Sequence, residues 1–196
     1  MTFSRRQWFG LAGCACLVHT EAFAQGSAEA VPTGYTSPAH SPEAGRAPRM
    51  QVRIVSGQAG QPRTWALIFG KGDEVMSGLT EWARREGIEG AHLTAIGAFS
   101  SARFGWFDKD RRAYRDISID QQVECISLIG DVGLVGDKPA VHVHGCVGLS
   151  NGLVKGGHLI DAVTWPTLEV FVSETAVPLH KHKDDETNLE LFALSS

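Results

Sequence analysis

Two hydrophobic periods alternate along the chain from Thr64 onward. "TWALIF" (64–69) is a short continuous apolar run, the pattern of a buried strand. "GKGDEVMSGLTEWARREG" (70–87) changes period, and Val75, Leu79, Trp82 and Ala83 fall on one face at helical spacing. Asp73 and Glu74 fall in its first turn, Arg84 and Arg85 in its last, and Gly87 stops it. These charges suit the helix dipole and need no catalytic explanation. "AHLTAIGAFSSARFGWFD", "AYRDISID", "QVECISLIGDVGLV", "AVHVHGCVGL" and "TLEVFVSE" follow, rich in β-branched and aromatic residues, and "NLELFAL" alternates as a closing strand. Many strands, one clear helix and short connections predict an α+β domain with a mostly antiparallel sheet.

The pattern is absent ahead of residue 50. Residues 25–49 carry Pro32, Pro38, Pro42 and Pro48 and almost no large apolar side chain. Such a stretch buries too little surface to offset its ordering entropy and reads as a disordered tether. Residues 1–24 have a Ser-Arg-Arg-x-Trp-Phe start, a soft apolar stretch and an "AFA" end. That is the layout of a twin-arginine export signal, which predicts a periplasmic or secreted protein whose mature chain begins near Gln25. "LAGC" ending at Cys14 also resembles a lipoprotein cleavage box, but it leaves only about seven residues after the arginine pair, a short apolar region for such a signal. The domain is therefore expected over residues 50–196.

Charge narrows the function classes. Without the signal the chain keeps 16 basic and 21 acidic residues, unlike the concentrated basic face of a nucleic-acid binder. The single basic cluster, Arg103, Lys109, Arg111, Arg112 and Arg115, is interrupted by Asp108, Asp110 and Asp116 and reads as a solvated hairpin tip. Cys125 and Cys146 remain after cleavage; they are read as small buried hydrophobes, with a disulfide as the alternative in an oxidising compartment. No Gly-rich phosphate loop or nucleophile elbow is present in the sequence.

The candidate chemistry lies in "VHVHGCVGLSNGLVKGGHL" (141–159). On a strand His142 and His144 share one face, roughly 7 Å apart at the backbone, while Val141 and Val143 take the other. The place of His158 depends on the turn. A two-residue Asn151-Gly152 loop sends it to the wrong face; a three-residue loop with Gly152 left-handed pairs Leu149 with Leu153 and sets His144 opposite His158. Gly152 suits the longer loop because it adopts positive φ cheaply. Gly156 and Gly157 leave room beside His158 for a ligand, as a cofactor-binding pair, or for another backbone. Three neutral imidazoles suit Zn²⁺ with an open fourth position. His180 and His182 form a second pair in a highly charged stretch and read as an exposed edge, and His92 as structural.

These segments, in this order, resemble the plants and prokaryotes conserved (PPC) domain family, in its prokaryotic form without an AT-hook. "FGKGDEVMSGLTEWARREGI" is similar to its strand-then-helix opening, "VECISLIGDVG" to its Glu-x-x-Ser-Leu-x-Gly strand, and the 141–172 stretch to its His-x-His, Gly-Gly-His and Pro-Thr-x-Glu signature. The resemblance implies a homotrimer, a divalent metal, usually read as zinc, on His142, His144 and His158, and an acidic position at Glu169. It also carries a DNA-binding label, which the acidic balance and the export signal disfavour. Three functions stay open: a metal-dependent binding module for a small ligand, a zinc hydrolase or lyase with Glu169 as base, and DNA binding.

Overall fold

The structure is a computed structural model and describes residues 31–58 and 60–194. The expected export signal, with Cys14, and the first residues of the expected tether lie outside the described residues. Among the described residues no helix is long and apolar enough to cross a membrane.

In chain order the elements are β1 (Tyr35–Thr36), β2 (Gln51–Ser56), β3 (Thr64–Phe69), α1 (Val75–Glu86), β4 (Ala91–Asp108), β5 (Ala113–Ile119), β6 (Val123–Val135), β7 (Lys138–Gly148), β8 (Val154–Glu174), β9 (His180–Lys183) and β10 (Glu190–Phe192). Among the described residues the fold is mostly β with one helix, as the periods predict. α1 starts one step later than its charges suggest. Glu74 is the N-cap, its carboxylate accepting from the backbone N–H of Met76 and Ser77, and Gly87 closes the helix with φ 64°.

All pairings are antiparallel except β6 with β9. β4 and β8 are 18 and 21 residues long, far beyond an ordinary strand. They serve several neighbours: β4 pairs with β5, β6 and β8, and β8 with β3, β4 and β7. The circuit β4–β6–β7–β8–β4 therefore closes on itself, with bulges in β4 near Gly97, Phe99 and Arg103 that let it bend. α1 packs against β7 and β8. Trp82, Leu79 and Val75 from the helix meet Phe69, Phe99, Phe104 and Leu168 from the sheet, all at most 1% exposed. Each such side chain stabilises the fold by about 1.5–3 kcal/mol relative to exposure.

The curled sheet buries Phe99 and Phe104 completely, while Trp106 stays 56% exposed. The described part of the expected tether is docked rather than loose. Tyr35 and Thr36 add a strand to β5; the Tyr35 hydroxyl donates to Asp108 and the Thr36 hydroxyl to Asp116. Further on, Arg46 N–H donates to Ser77 Oγ and Arg49 N–H to the Asp73 carboxylate. Polar anchoring carries most of this docking, with Ala47 packed against the core, and hydrophobic patterning is blind to it.

Candidate metal centre

The β7–β8 hairpin turns through Ser150, Asn151 and Gly152. Leu149 N–H donates to Leu153 O at 2.8 Å, Asn151 Oδ1 accepts from Leu153 N–H, and Gly152 has φ 81°. This is the three-residue loop, and its parity sets His144 directly opposite His158. Val143 and Leu159 point to the other face and are fully buried. The ring centroids of His142, His144 and His158 lie 4.9, 5.1 and 5.3 Å apart. One ligand atom from each lies within 4.8 Å of the others.

Gly156 and Gly157 do not open a ligand space. A Cβ on Gly156 would lie 2.1 Å from Gly145 O, and one on Gly157 would lie 2.6 Å from Gly105 O. Neighbouring backbone fills the room that missing side chains leave, so the cofactor-binding role expected of these glycines gives way to close strand packing. Glu169 is also displaced. It is exposed, sits eleven residues beyond His158 on β8, and lines a separate concavity with Glu124 and Ile126. Within this chain it is not part of the histidine cluster.

Residues absent from the sequence reading complete the site. Asp131 on β6 is the cross-strand partner of His142, and its carboxylate lies 3.3 Å from His142 Nδ1. Its other oxygen accepts from Lys181 Nζ, a lysine only 5% exposed. Burial alone would raise the Asp131 carboxyl; the hydrogen bonds from His142 and Lys181, with the lysine's charge, outweigh it and hold the group below its usual range. Asp131 thus remains anionic and occupies His142 Nδ1, leaving Nε2 for the cluster. Tyr114 on β5 stacks on His158, centroids 4.2 Å apart and planes within 9°.

Electrostatics favour neutral rings at His144 and His158. Burial, then the nearby His142 and His144, push the His158 pKa down to about 3. Burial and His142 lower that of His144 as well. His158 Nδ1 is buried without a hydrogen-bond partner. An orphaned ring nitrogen, three imidazoles within reach of one ion and a carboxylate behind one of them fit a borderline-soft divalent ion such as zinc.

The remaining candidates stay apart. His180 and His182 are exposed on β9 and do not join the cluster. Cys125 and Cys146 are both free, and burial, with the neighbouring Cys146 and Glu124 adding to it, pushes the Cys125 thiol up to about 12. In the basic cluster Arg103 is held by Asp161 and Asp116, and Arg111 by Asp108.

Comparison with known proteins now adds a name for the fold. The family model of the Plants and Prokaryotes Conserved (PCC) domain matches residues 56–176. The chain belongs to this family. Among solved structures, the PCC fold here is similar to a plant- and prokaryote-conserved protein from Pyrococcus horikoshii (26% identical, TM-score 0.64, covering 74% of this chain and 96% of that one). It is also similar to a metal-containing protein from Archaeoglobus fulgidus (29% identical, TM-score 0.62, covering 74% and 99%). A candidate DNA-binding protein from Bacteroides thetaiotaomicron, 19% identical over 74% of this chain and 96% of that one, shares the fold with TM-score 0.68. No curated protein matches the chain in sequence. The PCC match spans β3 to β8 and with them all three histidines and Asp131, but neither Lys181 nor the docked leading segment.

In this PCC domain Asp131→Asn should lower metal affinity about 10–100-fold, the usual cost of losing a carboxylate behind a ligating histidine. Competition against a chromophoric chelator measures it, and circular dichroism checks that the fold is retained. Unchanged affinity would reduce Asp131 to a partner of Lys181 alone.

Proposed function

We propose that this PCC protein binds zinc through His142, His144 and His158 and uses the ion's open position to capture a small ligand. The observation that carries this reading is the buried, unpartnered His158 Nδ1 beside two further imidazoles within reach of one ion. The metal-containing relative from Archaeoglobus supports it. When bound, zinc would supply Lewis acidity and a fixed positive charge. Asp131 would orient His142, Tyr114 would hold the His158 ring in place, and neutral His144 would offer its lone pair without losing a proton. The binding reading is favoured over hydrolysis or lyase chemistry because Glu169, the expected base, lines a concavity that contains none of the three histidines.

The reading includes assembly and location. Phe171, Thr94, Ile129 and His144 are consecutive cross-strand partners over β8, β4, β6 and β7. Phe171 is 51% and Ile129 63% exposed. An apolar row of this kind on a sheet suits burial against further copies, and the family resemblance makes three the expected number. The Arg5-Arg6 signal would place the trimer outside the cytoplasm. DNA binding, suggested by the description of the Bacteroides protein, is not favoured: Arg103 and Arg111 of the basic cluster are paired with carboxylates, and the chain is acidic.

One purification tests the set. Protein recovered from the extracytoplasmic fraction should carry one zinc per chain by elemental analysis and show the mass of three chains by light scattering. Metal-free protein that takes up no zinc on addition would overturn the metal reading; a single-chain mass would overturn the assembly.

A further inference from the structure

The cavity beside His142 and His158 has walls that come from outside the family domain. Its volume is about 240 Å³. α1 contributes Met76, Thr80 and Arg84, and the strands contribute Pro139, Val141 and Leu159. Two further walls are Thr36 to Pro42 of the leading segment and Leu189 to Leu191 near the C-terminus. Both lie beyond the family match over residues 56–176.

The leading wall is fixed at its two ends. Thr36 Oγ donates to Asp116 and accepts from Arg103, while Tyr35 holds Asp108. At the other end Gly45 N–H is bonded to Glu81, Arg46 N–H to Ser77, and Glu74 N–H to Arg46 O. Residues 37–44 span these anchors and face the cavity through Pro38 and Pro42, residues with little backbone freedom of their own. Such a span makes a defined wall, not a loose flap.

We propose that this cavity binds a small carboxylate with a compact apolar body. An apolar cavity of about 150 Å³ holds a benzene-sized molecule, so this volume accepts a ring or short chain bearing one head group. Prolines, Val141, Leu159 and Leu191 supply the apolar surface. The charge of the walls selects the head group. Arg84 makes no ion pair among the described residues, whereas Lys181 is already paired with Asp131, and Glu190 is the one carboxylate of the lining, so Arg84 is the cation left to meet a head group. The proposal rests on the metal reading in one respect: a zinc ion on His142 and His158 adds two positive charges at the same cavity and a position for a carboxylate oxygen. The leading segment, which the family match does not include, then decides which apolar bodies enter.

Calorimetry on the full mature chain, zinc-loaded, tests this with three probes: benzoate, benzyl alcohol as its uncharged analogue, and acetate as the head group without a body. Benzoate should bind saturably at one per chain, and the other two at least about tenfold more weakly. Arg84→Gln and Pro38→Trp should each weaken benzoate about tenfold or more while zinc content stays at one per chain. Zinc bound without saturable benzoate binding overturns the pocket and leaves the metal reading standing. Benzoate binding by protein that takes up no added zinc supports the pocket and overturns the metal reading. Binding of neither overturns both. Pro38→Trp binding benzoate as tightly as the parent overturns the role of the leading segment.

Discussion

Replacing His158 by phenylalanine should abolish tight zinc binding while leaving the metal-free protein at least as stable as the parent. The ring keeps its shape, so its stacking on Tyr114 at 4.2 Å is preserved. What disappears is one of three ligands and a buried nitrogen with no partner. The loss of the ligand should weaken zinc by about 100-fold or more, since a two-imidazole site is no longer the three-ligand set that zinc prefers. Removing the orphaned nitrogen relieves a desolvation cost of about 1–3 kcal/mol. The pH dependence supplies a separate readout. His158 has a folded pKa of about 3, pushed down by burial and the two nearby histidines, against about 6.5 when unfolded. Between these values the unfolded chain binds more protons, so stability of the metal-free parent falls as pH drops from about 6.5 toward 3. In His158→Phe that part of the acid sensitivity should vanish. Chelator competition and urea unfolding at several pH values measure both effects; a variant that retains zinc would remove His158 from the site.

Gly156→Ala should be the most damaging small substitution in the hairpin. The new methyl would meet Gly145 O at 2.1 Å and Cys146 Cα at 2.9 Å, both backbone atoms that cannot swing aside. β7 and β8 must separate there, and the pair they align two residues away is His144 with His158. Overpacking against backbone costs about 3 kcal/mol, which in a domain of this size lowers Tm by roughly 6–12 °C. Zinc affinity should fall with it. Gly152→Ala is the control, because its Cβ meets nothing within 4 Å and only the positive φ of 81° is strained. That variant should lose about 1 kcal/mol and keep its zinc. Equal losses in the two variants would mean that turn conformation, not strand contact, sets the register.

The histidine face was legible because two local rules suffice for it. Alternation places His142 with His144, and one loop with a glycine in its third position brings His158 across. The same kind of arithmetic reaches Asp131. Val135 pairs with Lys138 around a two-residue Gly136-Asp137 turn, with Gly136 at φ 63°, and counting back sets Asp131 against His142. That signal stood in the sequence and needed only the preceding hairpin to be read. Tyr114 and Lys181 were not accessible in this way. They arrive from strands whose places depend on the long β4 and on a parallel pairing between β6 and β9, and no local pattern specifies either. Glu169 was assigned from its place in a signature. Eleven residues of strand carry it roughly 35 Å along the backbone path, a distance hidden when a motif is read as one cluster.

The closed circuit of β4, β6, β7 and β8 bears on how the site opens. Amide exchange and local fraying begin at free edges and termini, where few contacts must break. β7 is paired with β6 along its length and with β8 from His144 to Gly148, and β8 is in turn paired with β4. His144 and His158 therefore have no cheap opening, and their amides should exchange only with global unfolding, while His142 lies beyond the β8 pairing. β1, β2 and the β9–β10 hairpin lie outside the circuit and should exchange first. An ion at the histidines then leaves through the cavity mouth while the strands stay paired, so its dwell time is set by coordination and by the walls rather than by breathing of the sheet.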